Sequence, residues 1–171
     1  LHAHRPYVIH LEYPRFLEEN GLFESLNESY LPMRRSLYKL DRADVPFRLS
    51  FCFSPTLITM LMDEPLQERF IDYMNLHLEL GQKEVERTLT EDTDCHEMAI
   101  HYLRETERNL EVYESYGRNI LKGFRHLAEK GRIELIATAA THAYLPLYKD
   151  YETAIRAQVE MGIKTHRRVF G

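Results

Sequence analysis

Three histidines stand at the ends of two segments that have strand character. His2 and His4 lie in the opening LHAH, and His142 follows the apolar run IELIATAA at 133–140. Residues two apart on a strand project from the same face, so the first two imidazoles can reach one point. A neutral imidazole carries one hydrogen-bond donor and one acceptor, which suits a sugar hydroxyl, and imidazole is also a zinc ligand. The residues alone therefore leave sugar binding and metal binding open, beside a purely structural role.

The segment CHEMAIH, with His96, Glu97 and His101, superficially resembles a zinc-protease motif. That motif needs histidines four apart on a helix, whereas a five-residue step rotates them by about 500°, nearly to opposite sides. We therefore predict an ordinary helix start, with Asp92 and Asp94 favourably placed for the helix dipole. The sequence also has no nucleophile elbow, phosphate loop or dinucleotide fingerprint, so serine hydrolase, kinase and Rossmann functions lose their main support.

Acidic residues are numerous, and most of them fall at helical positions that are predicted to face water. These are Glu18, Glu19, Glu84, Glu86, Glu105 and Glu107. Three others are better placed to approach the histidines. Glu12 lies just beyond HAHRPYVIH, and Glu24 and Glu28 lie on the helix that follows. We therefore keep these three as weaker candidates for the site.

The histidines are positioned by three predicted strands of a parallel sheet. The strands cover residues 1–4, 47–53 and 133–140. Alternation of strands with long helical patterns predicts an α/β fold whose sheet is doubly wound or closed into a barrel. In either architecture, sites lie at the carboxyl ends of the strands. Because HAHRPY, FSPT and THAYLP all follow predicted strands, the three histidines should converge at that edge.

Helices account for most of the remaining chain. Apolar residues recur with a helical period from Leu22 to Leu40, from Asp63 to about Thr90, and from about His96 to Lys130. Ser54 and Pro55 predict the N-cap and the first residue of one helix. Gly131 predicts the end of the helical pattern before it. A last helix is predicted from about Tyr151 to Phe170, with Asp150 as its cap. The block at 63–130 contains no strand-like run, so we predict a helical excursion there.

The composition indicates a globular protein without a nucleic-acid or membrane partner. Apolar residues make up 44% of 171 residues, which is enough for one sizeable core. The net charge is −5, and the 22 basic residues are scattered, so no footprint for nucleic acid is present. The longest apolar stretch, at 57–62, is far shorter than the roughly 20 residues that cross a bilayer. Cys52 and Cys95 form no disulfide framework, and we expect a cytoplasmic protein without a cofactor.

Five ordered segments spread over the chain carry a family resemblance. They read LHAHRPYVIH, ENGLFESLNESYLPMRRSL, RLSFCFSPTLITML, IELIATAATHAYLP and AIRAQVEMGIKTHRRVFG. Together they resemble the amino-terminal part of glycoside hydrolase family 57, and within it the 1,4-α-glucan branching enzymes. The resemblance implies the amino-terminal portion of an incomplete (β/α)7 barrel with a helical insertion, acting on α-1,4-glucan by a retaining mechanism. Residues 1–171 would then be a partial catalytic domain, consistent with an opening strand that lacks its usual first residues.

The resemblance also assigns roles to residues. The histidines of HAH and THAYLP correspond to those that line the sugar subsite, which makes His2, His4 and His142 substrate-binding and predicts no stoichiometric zinc. The nucleophilic glutamate and the acid/base aspartate are expected beyond Gly171, so these residues alone should show no activity on amylose. Arg5 stands where the family usually has an aliphatic residue, which leaves the fine sugar specificity open.

Alternatives to a branching enzyme remain at this point. Within the family, α-amylase and 4-α-glucanotransferase activities depend on loops that exclude water and position the acceptor. Outside it, a metal-dependent polysaccharide deacetylase would use the three histidines as ligands, although no clear aspartate motif accompanies them. A non-catalytic carbohydrate-binding piece is a further alternative. For a branching enzyme the expected partner is an α-glucan such as amylose, glycogen or a starch-like polysaccharide.

Overall fold

Three short strands form a parallel sheet with the second strand in the middle. The computed structural model describes residues 1–10, 12 and 16–171, and within them the strands are β1 at His2–Ala3, β2 at Leu49–Phe53 and β3 at Ile133–Ile136. In register, His2 pairs with Cys52 and Leu49 pairs with Ile133. The order β1-β2-β3 and the parallel direction confirm the α/β fold that the alternation of strands and helices predicts.

Helices make up most of the rest of the described chain. They are α1 at Leu17–Ser25, α2 at Leu31–Arg42, α3 at Pro55–Leu61, α4 at Glu64–Glu91, α5 at His96–Ser115, α6 at Ile120–Glu129 and α7 at Glu152–Phe170. Short 3-10 turns lie at Thr93–Cys95 and Leu145–Tyr148. The stretch 64–129, all of whose residues the structure describes, contains helices and turns but no strand.

The first helical run contains a π turn in its middle. The periodicity predicts helix from Leu22 to Leu40, and the structure is helical from Leu17 to Arg42, with π geometry at Leu26–Tyr30. At the end of this turn, the Leu31 N–H donates to the Leu26 carbonyl, five residues back instead of four. Apolar side chains on both sides of the turn are buried, so the wider turn keeps the apolar face on the core.

Polar side chains cap three of the helices in the described part of the chain. Ser54 Oγ accepts a hydrogen bond from the Leu57 N–H at 3.3 Å, and Pro55 begins α3, which confirms the predicted start of this helix. Asp63 caps α4 and Asn119 caps α6 in the same way, through their side-chain oxygens. A cap of this kind contributes about 1 kcal/mol to stability, and here it fixes where the chain turns from strand to helix.

Two predicted helix features are wrong. The pattern from His96 to Lys130 is divided into α5 and α6 by a turn in which Gly117 has a φ of 61°. Asp150 does not cap α7, because Tyr151 occupies the N-cap position and contributes no side-chain hydrogen bond. The predicted stop at Gly131 is confirmed, since its φ of 70° lies in the left-handed region that ends helices.

Aromatic rings on one face of the sheet form the centre of the core. Phe51 and Phe53 project from β2, and the ring of Phe124 in α6 lies 4.9 and 5.0 Å from theirs. Tyr30 and Phe170 reach Phe53 from the π turn and from α7. Fully burying a phenylalanine contributes roughly 1.5–3 kcal/mol, so these contacts hold three helical segments against the middle strand.

Two glutamates that the helical pattern assigns to water are instead paired with arginines. Glu19 is 2% exposed and accepts a hydrogen bond from Arg69 of α4. Glu105 accepts two hydrogen bonds from Arg35, at 2.8 and 3.2 Å, and one from Arg108 at 2.7 Å. The predicted solvated positions of Glu19 and Glu105 are wrong because each pairs with an arginine on another helix, which periodicity cannot indicate. The other predicted surface residues, Glu18, Glu84, Glu86 and Glu107, are exposed.

The pairing of Glu105 predicts a loss of stability in acid. The Arg35 guanidinium lowers the pKa of Glu105 from 4.5 to about 2. A carboxyl with a lowered folded-state pKa stabilises the fold above its unfolded-state pKa, and this contribution disappears as the pH falls from 4.5 to about 2. We expect Glu105→Gln to cost about 1 kcal/mol at pH 7, a small value because the pair is partly solvated.

Urea unfolding of wild type and Glu105→Gln at pH 7 and pH 3 measures this contribution. The difference between the two proteins should shrink at pH 3, because the Glu105 carboxyl of the unfolded chain is mostly protonated there while the folded carboxyl is still mostly ionised. Glu107→Gln, in which the replaced glutamate is exposed on the same helix, is the matched control. If Glu105→Gln and wild type lose the same stability on acidification, the pairing does not contribute as described.

Candidate functional site

The three histidines predicted to converge lie together at the carboxyl edge of the sheet. The rings of His2 and His142 are 4.4 Å apart between centres, those of His4 and His142 are 4.6 Å apart, and those of His2 and His4 are 6.2 Å apart. The first two come from β1 and the residue after it, and the third comes from the loop after β3. We call these three residues the histidine cluster.

Hydrogen bonds from the β2–α3 turn hold the β1 side of the cluster. The Ser54 N–H donates to the Ala3 carbonyl at 3.0 Å, which continues the strand pairing to the residue before His4. His4 Nδ1 lies 2.9 Å from Ser54 Oγ, and Ser54 Oγ lies 3.0 Å from Thr56 Oγ1. The serine is completely buried. The sequence identifies Ser54 as a helix cap, but its contact with the histidine was not predicted.

Helix α7 holds the other side of the cluster. The backbone carbonyl of Gln158 accepts from the Ala140 N–H at 3.0 Å, and its side chain exchanges two hydrogen bonds of 2.9 Å with Thr141. His142 follows directly with a φ of 56°, a left-handed conformation that is uncommon for residues with a side chain. Gly162 lies against the Thr138 backbone, so α7 and the segment after β3 are in direct contact. The sequence did not predict that Gln158 and Gly162 contact the segment that carries His142.

The cluster is electrically neutral on its β1 side at neutral pH. Burial, and then the neighbouring His142, lower the pKa of His2 and of His4 below the usual 6.5. A neutral ring has one nitrogen that donates and one that accepts a hydrogen bond. A hydroxyl group also donates one hydrogen bond and accepts hydrogen bonds, so a neutral imidazole suits a hydroxyl partner better than a charged one.

Arg5 follows the second histidine of the cluster directly and is bound by α1. Its guanidinium donates from Nε to Ser25 Oγ at 2.7 Å and also from a terminal nitrogen to the same oxygen. Ser25 in turn donates to the Gly21 carbonyl at 2.7 Å. The arginine head therefore binds α1, and its own carbonyl accepts from Thr56 at 3.1 Å.

The weaker candidates Glu12, Glu24 and Glu28 occupy other places. Glu12 is exposed, and its Oε1 atom lies 3.6 Å from Nδ1 of His10. Glu24 lines a cleft of about 500 Å³ between α1 and α4, and Glu28 lines a cleft of about 860 Å³ beside α4 and α5. In the described part of the chain, neither cleft includes a member of the histidine cluster. Together with burial, which has the larger effect, these two glutamates raise the pKa of Tyr73 to about 12.

Among the described residues, no group of three or more His, Cys, Asp or Glu side chains has the arrangement needed to hold a metal ion. No helix in the described ranges is long and apolar enough to cross a membrane.

The fold and the cluster define an α/β protein with three clustered histidines at the edge of a parallel sheet. Residues 1–171 match the family model described as Glycosyl hydrolase family 57. The chain belongs to this family. The 1,4-alpha-glucan branching enzyme TK1436 from Thermococcus kodakarensis is 31% identical over 173 residues, covering 100% of this chain and 24% of the relative.

Two solved structures are similar over nearly the whole chain. The alpha-amylase AmyC from Thermotoga maritima has a TM-score of 0.93 and 42% identity, and the match covers 99% of this chain and 32% of AmyC. The GH57-type branching enzyme from Pyrococcus horikoshii has a TM-score of 0.91 and 36% identity, and the match covers 100% of this chain and 32% of that enzyme. The chain thus spans between 24% and 32% of the length of these three relatives.

Proposed function

We propose that this chain is the sugar-binding, amino-terminal part of the catalytic domain of a 1,4-α-glucan branching enzyme. The observation that carries the proposal is the histidine cluster at the carboxyl edge of the sheet, in a chain that belongs to family 57. Relatives whose names state a branching activity support the choice within the family. The proposal includes an incomplete (β/α)7 barrel, of which the three strands are the beginning, and a helical excursion at 63–130.

In this proposal, His2, His4 and His142 bind hydroxyl groups of one glucose unit of an α-glucan. Neutral imidazoles suit this role because each can donate to one sugar oxygen and accept from one hydroxyl. Their spacing supports it as well, since rings 4.4 to 6.2 Å apart can contact neighbouring hydroxyls of a single pyranose. No metal or cofactor takes part.

The proposed reaction is retaining transglycosylation. A glutamate attacks the anomeric carbon of an α-1,4 link while an aspartate protonates the leaving oxygen, which forms a covalent glycosyl-enzyme. A 6-hydroxyl of another glucan chain then gives its proton to that aspartate and displaces the enzyme, which forms an α-1,6 branch. We propose that this chain is part of a longer protein, which we call the parent protein. Both catalytic carboxyls are placed in the part of the parent protein that follows Gly171.

α-Amylase activity is a second candidate, favoured by the 42% identity with AmyC. The two activities differ in the acceptor, which is water in hydrolysis and a sugar hydroxyl in branching. Incubation of the parent protein with amylose separates them. Loss of iodine staining without a matching rise in reducing ends supports branching, whereas an equal rise in reducing ends supports hydrolysis.

The role of the cluster is tested by His142→Ala in the parent protein. Loss of a hydrogen bond that strengthens in the transition state should lower turnover of amylose by about 10- to 100-fold. His126→Ala, which removes an exposed histidine of α6, is the matched control and should leave turnover unchanged. If the two variants turn over amylose at the same rate, the histidine cluster is not part of the sugar site.

A further inference from the structure

A chain of hydrogen bonds runs from His4 into the protein. It connects His4 Nδ1 to Ser54 Oγ at 2.9 Å, Ser54 Oγ to Thr56 Oγ1 at 3.0 Å, and Thr56 Oγ1 to the Arg5 carbonyl at 3.1 Å. Ser54 Oγ also accepts from the Leu57 N–H. The cluster is thus connected to a network whose members have a fixed number of protons to share.

Counting these protons decides which His4 nitrogen carries hydrogen. The Arg5 carbonyl has no proton, so the Thr56 hydroxyl donates to it. The contact between Thr56 and Ser54 then needs the Ser54 proton. Ser54 Oγ consequently has no proton left for His4 and can only accept from it. Every contact in the chain is satisfied when His4 carries its proton on Nδ1.

The opposite arrangement leaves one contact unmade. If Ser54 donates to His4 Nδ1, Thr56 must give its proton to Ser54, and the Arg5 carbonyl loses its hydrogen bond. A partly buried network favours the arrangement in which all its members are paired. The choice is meaningful only for a neutral ring, and burial and the neighbouring His142 lower the pKa of His4, which keeps the ring neutral.

We propose that Ser54 and Thr56 are positioning residues that hold His4 in its Nδ1–H tautomer, so that Nε2 presents a lone pair to the substrate. Nε2 has no hydrogen-bond partner among the described residues and is not buried. Under the proposed function, on which this inference rests, it accepts a hydrogen bond from a glucose hydroxyl. His4 would therefore recognise a donor on the sugar and reject a group that can only accept.

The tautomer is measured directly by nitrogen NMR. The parent protein is prepared with ¹⁵N in its histidine rings, and the His4 signals are assigned by their loss in His4→Asn. Above the pKa of the ring, the protonated and unprotonated nitrogens have clearly different shifts. We expect a protonated Nδ1 and an unprotonated Nε2 in the free protein, and the reverse assignment would overturn the proposal.

Thr56→Val and Thr56→Ser form a matched pair of variants. Valine has the shape of threonine without the hydroxyl, so the Ser54 proton loses its acceptor and turns to His4 Nδ1, which moves the ring proton to Nε2. Serine keeps the hydroxyl and should keep the wild-type tautomer. Both retain the Ser54 cap of α3, and thermal unfolding verifies that they fold. An unchanged tautomer in Thr56→Val would overturn the proposal.

Glucan binding by the same variants tests the use of the lone pair. Since an accepting nitrogen becomes a donor, Thr56→Val should bind amylose about tenfold more weakly, the equivalent of one hydrogen bond. A switched tautomer with unchanged binding would overturn the role of Nε2 as acceptor. The NMR result does not depend on any sugar, so failure of the proposed function, seen with His142→Ala, is distinguishable from failure of this inference.

Discussion

Replacing Gly162 by alanine is expected to destabilise the protein by about 2 kcal/mol or more, although alanine favours helices. A Cβ at this position would lie 2.1 Å from the backbone oxygen of Thr138 and 3.1 Å from its carbonyl carbon. Backbone atoms cannot rotate away, so α7 must move from the segment after β3. Overpacking typically costs about 1–3 kcal/mol, and a contact of 2.1 Å with backbone atoms places this site at about 3 kcal/mol. This cost exceeds the gain of about 1 kcal/mol from removing a helical glycine.

Gly81→Ala is the control for this prediction. Gly81 is also inside a helix, but the nearest neighbour of its added Cβ is Cδ1 of Leu103 at 3.1 Å, the tip of a flexible side chain. This variant should be as stable as wild type or gain up to about 1 kcal/mol. Urea unfolding of both proteins measures the difference. Equal stabilities would mean that α7 does not contact the Thr138 backbone as closely as described.

Gly162→Ala should also disturb the histidine cluster. Helix α7 holds the residues before His142 through Gln158, four residues from Gly162. Movement of the helix therefore displaces the loop that carries the third ring. In the parent protein we expect a loss of amylose turnover that exceeds the loss explained by the unfolded fraction.

Arg69→Met is expected to lower the free energy of unfolding by about 3 kcal/mol at pH 7. The arginine pairs with Glu19, whose side chain is 3% exposed. Without it, a carboxylate remains in the protein interior with its main countercharge removed. A methionine fills part of the vacated volume, so the loss reports mainly on charge.

Two further variants separate charge from packing at this pair. The double variant Arg69→Met with Glu19→Leu removes both charges and should recover part of the lost stability. Lys83→Met breaks the ion pair with Glu79, whose partners are 66% and 60% exposed, and should change stability by less than about 0.5 kcal/mol. A double variant no more stable than Arg69→Met would show that the buried charge is not the cause.

The parts of the fold that sequence predicts best are those decided locally or by topology. The start of α3 depends on Ser54 and Pro55, which act on their immediate neighbours. Convergence of His2, His4 and His142 follows from a general rule, because parallel strands end at the same edge of a sheet. Neither inference needs the identity of a distant side chain. The incomplete (β/α)7 barrel implied by the family resemblance stays a prediction.

Features that depend on distant partners could not be predicted. Helical periodicity predicts that Glu19 and Glu105 face solvent, because it depends only on the polarity of residues within one helix. It contains no information on the arginines that contact them from other helices. The division between α5 and α6 was concealed because apolar residues keep one phase across the turn. Gly117 and the capping residue Asn119 were the available signal for that turn.

The π turn at Leu26–Tyr30 determines where this helical run can change its length. It holds one residue more than an α-helical turn, so a relative could lose a single residue there and keep both flanking helices in place. A deletion in the α-helical residues 31–34 would instead rotate Arg35 relative to Ser25 by about 100°. Ser25, which binds Arg5, and Arg35, which binds Glu105, could then no longer both face their partners. Insertions and deletions among relatives should therefore concentrate in these five residues.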